Sequence, residues 1–72
     1  MDLYGKLAAI KGLNNKVTLR VKCTDDTLVE GKYYGFTQAL DNEPEIAQLD
    51  ILSTDGKVYG LYETEIISIE RL

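Results

Sequence analysis

The run "EGKYYGFT", Glu30–Thr37, decides how this chain folds. Gly31 and Gly35 stand four residues apart, with Tyr33 and Tyr34 between them. Neither a helix nor a flat strand calls for that spacing. Glycine inside a strand marks a bend, a bulge or a close backbone approach. In the longer run "TLVEGKYYGFT", 27–37, strict alternation puts Val29, Gly31, Tyr33 and Gly35 on one face and Leu28, Tyr34 and Phe36 on the other. Apolar residues on both faces imply cover on both sides for part of the length. The spacing predicts a long strand that curls hard enough to serve two sheets of a small barrel. A side chain added at Gly31 or Gly35 is expected to cost more than about 1 kcal/mol.

The rest of the chain fits around that strand. Upstream, "KVTLRVK", 16–22, alternates with Val17, Leu19 and Val21 on one face, and "CTDD", 23–26, is the turn that follows. Before it, Leu3, Leu7 and Ile10 share one face of a helix expected within residues 1–13, with Asp2 as N-cap and Gly12 as the stop. Downstream, "QALDNEPE" is a polar loop. "IAQLDILS", 46–53, is a third strand that turns inward Ala47, Leu49 and Ile51. Asp55-Gly56 is a hairpin signal, followed by strands "KVYGLY", 57–62, and "IISIERL", 66–72. One domain over 1–72, a helix and then five strands across 16–72, buries one face best by closing on itself. The expected fold is all-β with an N-terminal helix: a five-stranded, strongly bent barrel of the SH3-like type.

Composition narrows the function. The 72 residues hold one cysteine and no histidine. That excludes an internal disulfide and an ordinary zinc site. Self-association is then the common remaining way to stabilise so small a core. No apolar run nears the roughly 20 residues that span a bilayer, and no apolar signal segment follows Met1, so a soluble, cytoplasmic chain without membrane partners is expected. Residues 1–22 carry five cations and one acid, while residues 23–72 carry three cations and eleven acids.

No residue set points to catalysis. Cys23 has no base partner and reads as a buried small hydrophobe. The carboxylates show no acid–base pairing, and neither a phosphate loop nor a dinucleotide fingerprint is present. Asp41, Asn42, Glu43 and Glu45 lack the ligand spacing of a calcium loop and read as solvated. No enzyme, cofactor or metal is therefore expected. Tyr33 reads as core, and Tyr34 as packed under the helix or in a subunit contact. With no tryptophan, a proline-peptide groove is disfavoured.

The run "DDTLVEGKYYGFT", 25–37, resembles the first motif of the Sm-like (LSM-type) family, with Val29, Gly31, Tyr33, Gly35 and Phe36 in its places. "NKVTLRVK" resembles that family's first strand, and "LYETEIISI", 61–69, its second motif, with Leu61, Ile66 and Ile69 in register. The resemblance spans nearly the whole chain. It implies an Sm-like barrel whose fourth and fifth strands pair between subunits into a ring, through Val58, Tyr59, Leu61, Ile67 and Ile69. It also maps a uridine site onto Phe36, Thr37, Asp41, Asn42, Tyr62 and Glu63. There the motif's aspartate is replaced by Thr37, its asparagine falls on Asp41 beside Asn42, and its Arg-Gly pair falls on Tyr62-Glu63. An acid in place of a cation beside a phosphate reverses the sign of that contact.

Two functions follow. One is a non-enzymatic, ring-forming protein that binds single-stranded RNA or an RNA-associated protein weakly. Its RNA contacts then depend on a basic helix-side surface of Lys6, Lys11 and Lys16. The other is a protein-binding adaptor or inhibitor that kept the barrel and lost the RNA site.

Overall fold

The computed structural model describes all residues, Met1–Leu72. A six-residue helix, α1 (Leu3–Ala8), precedes five strands: β1 (Thr18–Cys23), β2 (Leu28–Thr37), β3 (Gln48–Ser53), β4 (Val58–Tyr62) and β5 (Ile66–Arg71). Single 3-10 turns at Ala39–Asp41 and Glu63–Glu65 join β2 to β3 and β4 to β5. The strands form one antiparallel sheet in the order β4-β3-β2-β1-β5. β4 and β5 are its two edges and do not pair with each other. The sheet is nonetheless strongly curled: Tyr59 and Leu61 of β4, Cys23 of β1, Val29 of β2 and Glu65 line one shared cleft of about 290 Å³.

The helix is shorter than its apolar spacing predicts. Asp2 caps it, its Oδ1 accepting the Gly5 N–H at 3.1 Å. Ile10 N–H then bonds to the Leu7 carbonyl at 3.1 Å, the tight i to i−3 bond that closes a last turn. Leu3 and Leu7 are buried, and Ile10 and Leu13 still pack against the core from the turns that follow. The apolar stripe is real, but beyond Ala8 it is delivered by turns rather than by helix.

Thirteen apolar residues form one core under the helix, with Leu3, Leu19, Val21, Leu49 and Ile51 at its centre. The inward faces expected of β1 and β3 are the buried ones. β2 departs from strict alternation. Tyr33 pairs with Ile51 and Gly35 with Asp50, so Tyr34 is an extra, unpaired residue. That bulge resets the parity. Phe36 pairs with buried Leu49 and packs on the core beside Tyr33, instead of sharing a face with Leu28 and Tyr34. Tyr34 is 60% exposed and takes no part in the core. β5 has a second bulge: Lys22 pairs with Ser68 and Cys23 with Ile66, leaving Ile67 extra and 51% exposed. Each bulge therefore spaces inward residues three apart, Tyr33 to Phe36 and Ile66 to Ile69.

The two glycines of β2 separate on inspection. A Cβ at Gly31 would collide with the Leu52 carbonyl oxygen and lie 2.7 Å from its carbon, so the paired strand β3 comes to backbone contact there. A Cβ at Gly35 would meet only Asp50 Oδ2, at 3.9 Å. The close approach expected of both belongs to Gly31 alone; Gly35 flanks the bulge.

Candidate functional site

The helix meets the sheet through one polar and one aromatic contact. Glu63, in the turn after β4, accepts the Leu3 N–H at 2.8 Å through Oε2. A carboxylate is well placed against the unpaired N–H groups of a helix start. Tyr4, on the next helical position, sets its ring 6.0 Å from that of Phe36, tilted by 51°. Between these contacts opens a cleft of about 430 Å³ lined by Tyr4, Phe36, Gln38, Ala39, Ala47 and Glu63. A second cleft, of about 460 Å³, lies across the aromatic pair and is lined mainly by apolar residues, among them Leu7, Ile10, Leu13 and Tyr33.

The six residues of the expected base-binding set divide. Phe36 and Glu63 line the first cleft. Thr37 and Tyr62 lie opposite Gln48, on the strands to either side of it. Asn42 joins them by donating its amide to Gln48 Oε1 at 3.0 Å and to the Ile46 carbonyl at 2.9 Å. Asp41 is exposed at the end of a 3-10 turn. The Asn42 amide is thus committed within the chain, and Glu63 has a structural task. Sequence reasoning missed both Tyr4 and Gln48. Tyr4 stands next to the apolar helix face, and Gln48 alternates outward between Ala47 and Leu49, a signal that marks a solvent-facing position but not a partner.

No lysine or arginine lines the first cleft. Lys6, Lys11 and Lys16 are all exposed on the helix and the turns after it. Arg20 is not free: Glu30 holds its Nε at 2.8 Å, and Glu70 lies 3.6 Å from Nη1. The hydrogen bond and charge of Glu30, opposed by partial burial and helped by Glu70, raise its pKa further. Of the residues expected at subunit contacts, Val58, Tyr59 and Ile67 are exposed on the edge strands. Leu61 and Ile69 belong instead to the core. Cys23 is buried beneath its turn, and burial, with Asp25 and Glu65 nearby, pushes its thiol pKa up, away from reactivity. No helix is long and apolar enough to cross a membrane.

The chain matches no family model, no curated protein and no solved structure.

Proposed function

We propose that this chain is a non-enzymatic Sm-like protein that associates edge to edge into a ring and binds RNA, or an RNA-associated protein, weakly. The observation that carries this reading is the strand order. β4 and β5 are the two open edges of one curled sheet, and each displays exposed apolar side chains, Val58 and Tyr59 on one and Ile67 on the other. An edge strand offers a row of unpaired N–H and C=O groups to another chain. Joining the β4 of one subunit to the β5 of the next is a head-to-tail contact, which closes into a ring when the rotation permits.

Light scattering at micromolar concentration tests the assembly. A mass several times that of the monomer, reduced by Ile67→Lys or Val58→Lys without loss of fold, supports it. A strictly monomeric mass overturns it. RNA retention across a salt series tests the binding. A steep loss with salt, and loss in the Lys6→Glu, Lys11→Glu double variant, places contacts on the helix side.

The second reading, a protein-binding adaptor, is favoured by the internal commitments of Asn42 and Glu63 and by the absence of any cation lining the cleft. A ring that retains no RNA even at low salt moves this reading to first place.

A further inference from the structure

The cleft between α1 and the turn after β4 sets a carboxylate beside two aromatic rings. Glu63 is held there from two sides. Its N–H bonds to the Ala47 carbonyl at 2.8 Å, and its Oε2 accepts the Leu3 N–H at 2.8 Å. Oε1 takes no hydrogen bond, and neither ion pair of the chain includes Glu63. The carboxylate is thus fixed in place with one oxygen uncommitted. Tyr4 and Phe36 line the same cleft. Their rings lie 6.0 Å apart and are tilted by 51°, so neither covers the other's face by stacking. Ala39 and Ala47 supply methyl groups, and Gln38 supplies an amide.

A carboxylate attracts a cation, and so does the face of an aromatic ring, whose quadrupole is negative there. No lysine or arginine of the chain lines the cleft to satisfy either. An anionic ligand would meet Glu63 with nothing to offset it. At about 430 Å³ the cleft has the capacity of a small-ligand site, which runs from about 300 to 1,000 Å³. The type of cation follows from the lining. A primary ammonium is strongly hydrated and carries three N–H donors, and a guanidinium carries five. Against those donors the cleft offers Glu63 Oε1 and the Gln38 side chain; the other four lining residues are two aromatics and two alanines. A trimethylammonium head has no N–H to satisfy and presents methyl groups to the rings and the alanines.

We propose that this cleft binds the quaternary ammonium head of a small organic cation. Tyr4 and Phe36 contribute cation–π attraction, and Glu63 contributes a charge held in place before the ligand arrives, which lowers the ordering cost. The helix completes the site, because Tyr4 belongs to α1 and the Leu3 N–H orients Glu63. All six lining residues come from one chain, so the inference rests on neither the ring nor the adaptor reading.

The test is an amide-shift titration by NMR with choline chloride at low ionic strength. Two controls accompany it: ethanolamine, which carries a primary ammonium, and the neutral isostere of choline in which a tert-butyl group replaces trimethylammonium. Saturable shifts are expected at Phe36, Ala39, Ala47 and Glu63, with both controls at least about threefold weaker. Tyr4→Ala and Glu63→Gln should each weaken choline at least about threefold, while Tyr4→Phe keeps the ring and the affinity. Glu63→Gln retains an oxygen for the Leu3 N–H, so unchanged helix-amide protection shows that the charge was lost and not the fold. Four results overturn the inference: no saturable shift at the cleft, a neutral isostere that binds as well as choline, affinity unchanged in Glu63→Gln, or shifts equally large at the acidic turns 24–27 and 54–57. A trimethyllysine peptide that binds more than about tenfold tighter than choline would overturn the small-molecule source.

Discussion

At Gly31, β2 runs against the backbone of Leu52, with no room for even a methyl group; four residues later, at Gly35, the same strand meets only a carboxylate oxygen at 3.9 Å. Between them lies Tyr34, the extra residue of the bulge. The first half of β2 is a point of close approach, where the backbone of its paired neighbour β3 leaves no room for a side chain. The second half is a parity switch that brings Phe36 back onto the core. The same residue type therefore serves two ends: one glycine permits contact between backbones, and the other borders a bend and leaves a space above it.

The strongest way to break this contrast is at Gly31. Gly31→Ala should destabilise by about 3 kcal/mol or more, a large part of what so small a domain possesses, because the obstacle is backbone and cannot move aside. Urea unfolding should show a greatly lowered midpoint or no cooperative transition. A midpoint within experimental error of wild type would remove close approach as the reason for that glycine.

Next is the parity switch. Phe36→Ala should cost about 2 kcal/mol, less than a fully buried phenylalanine because this ring is partly exposed. Tyr34→Ala should stay within about 0.5 kcal/mol, and deleting Tyr34 should cost less than Phe36→Ala, since without the extra residue Tyr33, Gly35 and Phe36 keep their partners in plain alternation and Phe36 stays inward. A deletion as costly as Phe36→Ala would show that Tyr34 is not simply an extra residue in the ladder.

Glu63 belongs to the same end of β2, where the helix sits over Phe36. Glu63→Ala should cost about 1 kcal/mol by freeing the Leu3 N–H, with lowered protection of the helix amides in hydrogen exchange. Gly35→Ala should be smaller still, within about 0.5 kcal/mol in either direction, and so stands as the control for Gly31.

The two hairpin turns give a finer comparison. In both, the first residue's N–H bonds to the fifth residue's carbonyl: Cys23 to Thr27 at 2.9 Å and Ser53 to Lys57 at 2.8 Å. In both, the third residue's carboxylate accepts the fifth residue's N–H at 3.0 Å: Asp25 from Thr27 and Asp55 from Lys57. The fourth residue is left-handed in both, Asp26 at φ 68° and Gly56 at φ 84°. Asp26→Gly should therefore stabilise by about 0.5 kcal/mol. Hydrogen bonds from the Thr27 side chain and N–H lower the Asp25 pKa, and the Lys57 N–H chiefly lowers that of Asp55. Both groups bind protons more weakly folded than unfolded. Their contribution is complete above the unfolded carboxylate value, about 3.9, and is lost as pH falls through the lower folded values. Melting temperature followed below pH 5 should drop less steeply in Asp55→Asn than in wild type.

How much of this was legible follows from what each signal encodes. Period-two runs mark β1 and β3 because alternating burial leaves a direct trace in the residues, and Asp55-Gly56 marks its turn because few residues accept that backbone. The order of elements and the inward residues Val17, Leu19, Val21, Leu49 and Ile51 were therefore determined by the sequence alone. The bulges were not: an extra residue changes parity only relative to a partner strand, and the partner is not local. That is why Phe36 was read onto the wrong face; Leu61 and Ile69, named as subunit contacts through the resemblance, lie in the core of the single chain. The fate of each glycine, and the commitment of Asn42 to Gln48 and of Glu63 to the helix, also join residues distant in the chain. Only the tertiary structure decided them, because each depends on which strands lie side by side and in what register.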